Sequence, residues 1–277
     1  MTDHIETLGR PKSLLEHLES ADPEIAERLV SRRAAVAAGV GLASAPVMLA
    51  ALARDAFGQA ARLPAVVISV LNFALTLEYL ERDFYVTAVG TSGLIPASDQ
   101  PIFNRIRDHE VSHVSAILGL LGTSARPKPT FDFTAHGAFP TVFSDYATFL
   151  AVSQAFEDTG VRAYKGQAPA LFPYKSALSY ALQIHSVEAR HASEVRRLRG
   201  QRKGDPEQAP NKGWITEAQT DIPGTQATYA GEDNTVEGGV DLTTISTASR
   251  DNITEAFDEP LTMAQVLAIA GNFIAVP

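Results

Sequence analysis

The sequence predicts an all-α protein whose core is a bundle of four helices. Between residues 64 and 199, apolar side chains recur at helical spacing in four segments, each bounded by proline or glycine. Two segments carry a Glu-x-x-His unit, and the other two carry a glutamate followed seven residues later by a tyrosine. A stretch rich in proline and glycine, 122–140, separates the second segment from the third and is predicted to be a long loop.

Composition limits the class of protein. The 277 residues, 45% hydrophobic and 20% charged, suit one globular domain with appendages. A net charge of −9 and the absence of a long lysine or arginine run argue against a nucleic-acid partner. The chain contains no cysteine, which excludes disulfides, thiolate metal sites and thiol catalysis.

Residues 1–60 form a distinct N-terminal segment. Arg32 and Arg33 precede an uncharged stretch rich in alanine and glycine, 34–53, and Arg54 follows it. This order is similar to a twin-arginine export signal and predicts a periplasmic or exported protein. Two alternatives stay open, namely an internal helix packed on the bundle and a membrane anchor. Pro46 and the many alanines make the stretch a poorly hydrophobic span.

The first pair of helices lies before the loop. The first helix is predicted from Pro64 to near Gly90, with proline at its start. The second is predicted over about 101–121, after a polar stop at Asp99, and it ends at Gly122. His109 precedes Glu110 and points about 100° away from it on a helix, so we expect it on the surface.

The second pair follows the loop. The third helix is predicted from about Thr141 to Lys165, with Gly166 and Pro169 as its end signals, and the fourth over about 173–199. His185 lies one turn before Glu188, where it is an additional ligand, a partner of a ligand, or an ordinary core or surface histidine.

The tail, 201–277, changes in composition. Its first part, to about residue 257, is rich in glycine, aspartate, asparagine and threonine and is predicted to be extended, with Trp214 as a side chain that fastens it to the bundle. Thr262 and Gln265 then form a capping-box pattern before a short apolar terminal helix. We expect this helix to pack on the bundle of residues 61–200; a subunit interface is the alternative.

The Glu-x-x-His units are Glu110 with His113 and Glu188 with His191, and the two units are 78 residues apart. Residues three apart on a helix lie on one face, about 5–6 Å apart at Cβ, so each unit directs two ligands at one point. Such a unit occurring once is a weak signal. Its repetition with an accompanying glutamate and tyrosine is much stronger.

The accompanying pairs are Glu78 with Tyr85 and Glu157 with Tyr164, related by an offset of 79 residues. Each pair adds one carboxylate, with a tyrosine two turns further along the helix. Glu81 competes with Glu78 for the ligand position. We prefer Glu78 because the repeat aligns it with Glu157.

Four carboxylates inside a bundle need neutralisation. Without a cation they would have to bind protons or repel one another. Two divalent ions would balance four negative charges. The alternative is a plain helical bundle with buried hydrogen bonds between glutamate and histidine.

Together these motifs resemble the ferritin-like di-metal carboxylate family, in which four helices supply Glu, Glu-x-x-His, Glu and Glu-x-x-His. The resemblance covers about residues 64–199, and the stretch 71–81 is similar to the exported bacterial branch that resembles desiccation-related proteins. It implies a long crossover between helices 2 and 3 and two iron or manganese ions, with zinc admitted by the ligand set. The metal ligands that it implies are Glu78, Glu110, His113, Glu157, Glu188 and His191.

The resemblance also implies a division of roles. Glu110 and Glu188 would bridge the two ions, while Glu78 and Glu157 would be terminal ligands. Tyr85 and Tyr164 would hydrogen-bond ligand carboxylates or donate electrons; a plain core role is the alternative.

The implied activity is ferroxidase, peroxidase or catalase-like chemistry with dioxygen or peroxide. The rival interpretation is a non-enzymatic stress, desiccation or envelope-associated protein with a structural or vestigial metal site. Storage of iron in a shell is a third option, less suited to the long tail. A homo-oligomer and membrane association through the N-terminal segment stay open.

Overall fold

The computed structural model describes residues 63–205, 208 and 210–275. The N-terminal segment, with its predicted export signal, therefore lies outside the described residues. No helix in the described part of the chain is both long enough and apolar enough to span a membrane.

The structure confirms the predicted all-α bundle. Its four long helices are α1 (Ala65–Gly90), α2 (Gln100–Leu121), α3 (Tyr146–Leu171) and α4 (Lys175–Lys203). Helix α1 packs against α2, α3 packs against α4, and α1 also contacts α3.

Two apolar clusters lie at opposite ends of the bundle and show how the helices run. One cluster contains the start of α2, with Phe103, and the end of α4, with Val195. The other contains the end of α2, with Leu121, and the start of α4, with Ala177. The start of α1 lies in the same cluster as the start of α4, and the start of α3 lies in the same cluster as the start of α2. Helix α1 therefore runs parallel to α4, and α3 runs parallel to α2. This arrangement requires the long crossover that the proline-rich stretch predicted.

The crossover follows a short 3-10 helix, Gly122–Ser124, and contacts with α1 and with the tail fix its position. Near its start, the Asn72 side chain donates to the Ser124 carbonyl at 2.9 Å and accepts from the Arg126 amide at 2.7 Å. Near its middle, Phe131 pairs with Ile274 of the tail in an isolated antiparallel bridge. Its end leads into Asp145, whose side chain caps α3 by accepting from the Thr148 amide.

Three helix boundaries differ from the prediction, namely both ends of α3 and the end of α4. Helix α3 starts at Tyr146 because Asp145 caps it there, and it continues through Gly166 to Leu171. Gly166 is needed for packing, since a Cβ atom there would lie 1.9 Å from the Leu261 carbonyl oxygen. Helix α4 passes through Gly200 and ends before Gly204, which adopts the left-handed conformation, φ 78°.

The tail contains short elements: α5 (Gln226–Tyr229), the antiparallel strands β1 (Val236–Glu237) and β2 (Val240–Asp241), a 3-10 helix (Leu242–Thr244), α6 (Arg250–Thr254) and α7 (Met263–Gly271). The predicted capping box of Thr262 and Gln265 is present at α7. Helix α7 packs against α3, and the ring of Phe273 just after it contacts Phe156 with centroids 4.7 Å apart. The tail therefore covers one side of the bundle.

Candidate metal centre

A cluster of seven titratable side chains lies halfway along the bundle, between the two apolar clusters. We call it the carboxylate–histidine cluster, and all four long helices contribute to it. Its members are Glu78 and Glu81 from α1, Glu110 and His113 from α2, Glu157 from α3, and Glu188 and His191 from α4. Each is at most 9% exposed, and four of the carboxylates are fully buried.

The structure brings all six sequence-predicted metal-site residues into this cluster. They fall into overlapping groups whose candidate ligand atoms lie within 4.8 Å of one another. The groups are Glu78, Glu110, His113 and Glu188; Glu110, Glu157 and His191; and Glu81, Glu157 and Glu188. Glu110, Glu157 and Glu188 each belong to two groups, so neighbouring groups share carboxylates.

His113 directs Nδ1 into the cluster. This nitrogen lies 3.1 Å from Glu110 Oε2, 3.2 Å from Glu78 Oε2 and 3.2 Å from Glu188 Oε1. One imidazole nitrogen therefore faces carboxylates from three helices. That is the arrangement expected of a nitrogen ligand among oxygen ligands.

His191 also directs Nδ1 inward, 3.0 Å from Glu110 Oε1 and 3.3 Å from Glu157 Oε2. Its other nitrogen, Nε2, shares a hydrogen bond of 2.9 Å with Nδ1 of His109. The two rings stack, with centroids 5.2 Å apart and planes 13° apart. An outer partner of this kind holds a ligating imidazole in one orientation.

The expectation that His109 is a surface residue was wrong. The side chain is half-buried and contacts α4, because the flank of α2 that points away from Glu110 still faces the neighbouring helix. A helical-wheel angle measured on one helix does not show what covers that flank.

The two tyrosines bond across the bundle. The Tyr85 hydroxyl of α1 donates to Glu157 Oε1 of α3, and the Tyr164 hydroxyl of α3 donates to Glu78 Oε1 of α1. Each tyrosine thus holds the carboxylate of the other helix. The spacing within a helix predicted the residues but not this reciprocal pairing.

The sequence repeat predicts Glu78 and not Glu81 as the ligand, whereas the structure places both in the cluster. Glu81 is 3% exposed and lies with Glu157 and Glu188. The sequence contained a signal for it, since Glu81 follows Glu78 at the same i, i+3 spacing that joins the other ligand pairs.

The fit to a cation is tested by atoms that lack hydrogen-bond partners. Among residues 63–205, 208 and 210–275, six fully buried cluster atoms make no hydrogen bond of good geometry: Glu78 Oε2, Glu110 Oε1, Glu157 Oε2, both carboxylate oxygens of Glu188, and Nδ1 of His191. The nearest groups to four of these oxygens are the imidazole nitrogens of His113 and His191, at 3.0–3.3 Å. Leaving one buried polar atom unpaired costs about 1–3 kcal/mol, and more if the group is charged. Carboxylate oxygens and imidazole nitrogens suit iron, manganese or zinc, so the cluster is compatible with a metal site.

The pKa shifts of the metal-free cluster show the same lack of positive charge. Burial and the neighbouring Glu110 carboxylate raise the pKa of Glu188 well above its usual range. Burial also raises the pKa of Glu78, to about 7, although His113 opposes this shift. Burial disfavours the charged form of His191, but Glu157 and other carboxylates outweigh it and raise its pKa to about 11. Protons therefore take the place that a cation would fill.

Two other residues singled out from the sequence lie outside the cluster. His185 is half-buried and belongs to none of the three ligand groups. Trp214 is 52% exposed, and its carbonyl, not its ring, accepts a hydrogen bond from Arg196 on the bundle at 3.2 Å.

Comparison with protein families gives one match. Residues 67–201 match the family model described as Ferritin-like domain, which covers α1 to α4 up to residue 201. No curated protein matches the chain. The match supports the ferritin-like superfamily; the narrower likeness to the exported, desiccation-related branch stays a prediction.

Proposed function

We propose that this ferritin-like domain binds two iron or manganese ions in the carboxylate–histidine cluster and uses them in redox chemistry with dioxygen or peroxide. The observation that supports the proposal is the convergence of five carboxylates and two imidazoles, from four helices, in a buried space with unpaired oxygens. Ferroxidase, peroxidase and catalase-like reactions all belong to this class.

The electrostatics favour a cation over a plain polar core. Burying an ionised carboxylate without a partner carries a penalty of several kcal/mol. The cluster has five carboxylates but only two imidazoles, so even two imidazolium ions leave it negative. Two divalent cations supply the charge that the bundle itself lacks.

Each half of the cluster would hold one ion. Glu78 and His113 would serve one ion, and Glu157 and His191 the other, because these pairs occur in different ligand groups. Glu110 belongs to both groups and would bridge the ions. The resemblance gives Glu188 the same bridging role.

When bound, a pair of such ions supplies two electrons to dioxygen or exchanges them with peroxide. The chain's own residues keep the site in position. Tyr85 and Tyr164 hold one oxygen of each terminal carboxylate, which leaves the second oxygen directed at the cluster. His109 accepts from His191 Nε2 when that nitrogen carries the proton, which keeps Nδ1 available as a ligand.

The two tyrosines are also proposed as electron donors. Both phenols are buried and bonded to proposed ligand carboxylates, so each would be linked to a bound ion through one carboxylate. Replacing either with phenylalanine would keep the core filled and remove the hydroxyl. Single-turnover oxidation of the iron-loaded variants should then be slower or incomplete.

A structural metal site is the second candidate, and the enclosure of the cluster favours it. The cavity that borders Glu81 has a volume of about 10 Å³, room for about one water molecule. A metal that only braces the bundle would need no access.

Turnover separates the two candidates. The protein loaded with Fe(II) or Mn(II) should bind two ions per chain and consume dioxygen or peroxide, and Glu188→Ala should abolish the consumption. Asp108→Asn, an exposed change on α2, is the control and should leave the rate unchanged. Two bound ions without consumption would favour the structural site, and no bound metal would reject both candidates.

Location is a separate proposal. Arg32, Arg33 and the uncharged stretch 34–53 support export to the periplasm. Cell fractionation should find the protein outside the cytoplasm, and Arg32→Lys with Arg33→Lys should retain it inside.

A further inference from the structure

We infer that Glu81 is a fifth carboxylate ligand of the metal centre, acting on the side of the cluster that faces Glu157 and Glu188. The inference rests on the proposed function and deepens it, because it adds a seventh protein ligand to the six that the two repeated motifs supply.

The first support is the position of Glu81. It follows Glu78 by one turn of α1, so one helix directs two carboxylates into the bundle. A Glu81 oxygen lies within 4.8 Å of carboxylate oxygens of Glu157 and Glu188, in a group that contains no histidine. Three carboxylates in such a space need a shared cation or shared protons.

The second support comes from the partners that are missing. Both carboxylate oxygens of Glu188 and Oε2 of Glu157 are fully buried and make no hydrogen bond of good geometry to any described residue. His113 Nδ1, 3.2 Å from Glu188 Oε1, and His191 Nδ1, 3.3 Å from Glu157 Oε2, lie close to them, and Glu188 Oε2 is 4.0 Å from His191 Nδ1. These atoms belong to the same group as Glu81. The third group thus contains unpaired ligand atoms and is more than an accumulation of acidic residues.

The third support is the space that the opposite helix provides. Gly160 of α3 lies against the group, and a Cβ atom there would be 3.2 Å from Glu81 Oε1 and 3.4 Å from Glu188 Oε2. The sequence repeat aligns Gly160 with Glu81, at the offset of 79 residues that also relates Glu157 to Glu78. The two halves therefore differ here: α1 supplies a carboxylate and α3 supplies room for it.

The extra charge has a consequence. Two divalent cations balance four carboxylates, whereas one divalent and one trivalent cation balance five. Glu81 should therefore favour the more oxidised pair of ions, and its removal should raise the reduction potential of the iron-loaded centre.

The experiment measures binding of Mn(II) to the full chain by calorimetry and by electron paramagnetic resonance. The wild type should bind two ions. Glu81→Gln should keep the shape of the side chain and weaken at least one site by about tenfold or more. The reduction potential of the iron-loaded Glu81→Gln protein should also rise, an effect that a purely structural side chain would not produce.

Gly160→Ala is an independent variant, since it leaves Glu81 in place but crowds its carboxylate. It should weaken the same site, and the double variant should be little weaker than Glu81→Gln alone. Gly90→Ala adds a methyl group where no other atom lies within 4 Å and is the matched control. Circular dichroism of the metal-free variants checks that each one folds.

The outcomes separate the two proposals. Two ions in the wild type, with unchanged affinity and potential in both Glu81→Gln and Gly160→Ala, would overturn the role of Glu81 and leave the proposed function standing. A wild-type protein that binds neither manganese nor iron would overturn both. Weakened binding in both variants, with normal binding in Gly90→Ala, supports the inference.

Discussion

Glu157 and Asp158 are consecutive residues of α3, yet their carboxylates occupy opposite electrostatic environments. Glu157 faces the interior of the bundle, where its Oε2 atom makes no hydrogen bond of good geometry to any described residue, although His191 Nδ1 lies 3.3 Å away. Asp158 faces the tail, where Arg196 of α4 donates to it at 2.7–3.1 Å and the Tyr229 hydroxyl donates at 2.8 Å. Both side chains are buried, at 0% and 2% exposure.

The surroundings of Asp158 form a second buried polar group, which we call the arginine network: Gln154, Asp158, Arg196, Arg199 and Tyr229. Arg199 donates to Gln154, and Gln154 donates to the Tyr229 hydroxyl. Arg196 also donates to the carbonyls of Pro210 and Trp214, which ties the tail to α4. Each of these acceptors is matched by a donor on the chain.

The contrast shows what distinguishes a structural polar group from a ligand-binding one. In the arginine network the chain supplies its own cations, so no external ion is needed. In the carboxylate–histidine cluster the chain supplies too few positive groups, and oxygens stay unpaired. The deficit of partners, not the number of buried charges, indicates a metal site.

The largest effect should come from breaking the arginine network. Arg196→Met should leave Asp158 buried without a counterion and lower the free energy of unfolding by about 3–5 kcal/mol. Denaturant unfolding of the metal-free protein measures it. Arg190→Met, at an exposed position of the same helix, is the control and should change stability little. Equal losses in the two variants would contradict the comparison.

The pH dependence of the metal-free protein should come from the carboxylate–histidine cluster. Burial raises the pKa of Glu78 to about 7 from its usual 4.5, so its contribution is fully present below pH 4.5 and is lost as the pH rises through about 7. Stability should fall by up to about 3 kcal/mol over this range. Unfolding curves from pH 5 to pH 8 check this, and Glu78→Gln should flatten the profile.

Metal should stabilise the wild type. Free Mn(II) at about one hundred times the dissociation constant should raise the free energy of unfolding by about 2.7 kcal/mol for one site. Thermal unfolding with and without the ion measures the shift. Glu188→Ala should lose the shift, whereas Arg196→Met should start from a lower midpoint and keep it. If Mn(II) raised the unfolding midpoint of Glu188→Ala by the same amount, the ion would bind outside the carboxylate–histidine cluster.

The smallest effect is expected when a buried carboxylate is replaced by its amide, once in the carboxylate–histidine cluster and once in the arginine network. In the metal-free protein at pH 8, Glu188→Gln should raise the free energy of unfolding by about 1 kcal/mol, because burial raises the pKa of Glu188 and a neutral amide removes the cost of burying a carboxyl that is ionised in the unfolded chain. Asp158→Asn should lower it, because it removes the counterion of Arg196. Chemical denaturation of both variants beside the wild type gives the two signs. Destabilisation of equal size at both positions would remove the distinction between the two groups.

Much of the fold could be predicted from local patterns. The spacing of apolar residues located α1 to α4, and Thr262 with Gln265 located the start of α7. Gly166 was misleading because a glycine marks either a helix end or a close contact. At Gly166 the contact is with Leu261, 95 residues away in sequence, and no local pattern shows that.

The site, like the fold, could be predicted only in part from the sequence. The repeat predicted six side chains that the structure brings together, since i, i+3 spacing fixes which side chains share a helix face. The repeat did not place His109 beside His191 or include Glu81. Both placements depend on which side chains a neighbouring helix has at the same level of the bundle. The reciprocal bonds of Tyr85 and Tyr164 also join different helices.

The sequence by itself determined which residue types line the bundle interior, because helical periodicity and motif spacing are properties of a single segment. Only the tertiary structure decided which of these residues lack partners, because partners come from other helices and from the tail. Glu157 and Asp158 look alike in the sequence. Arg196 lies beside Asp158 and makes it a structural anchor. Further carboxylates lie beside Glu157 and make it a candidate ligand.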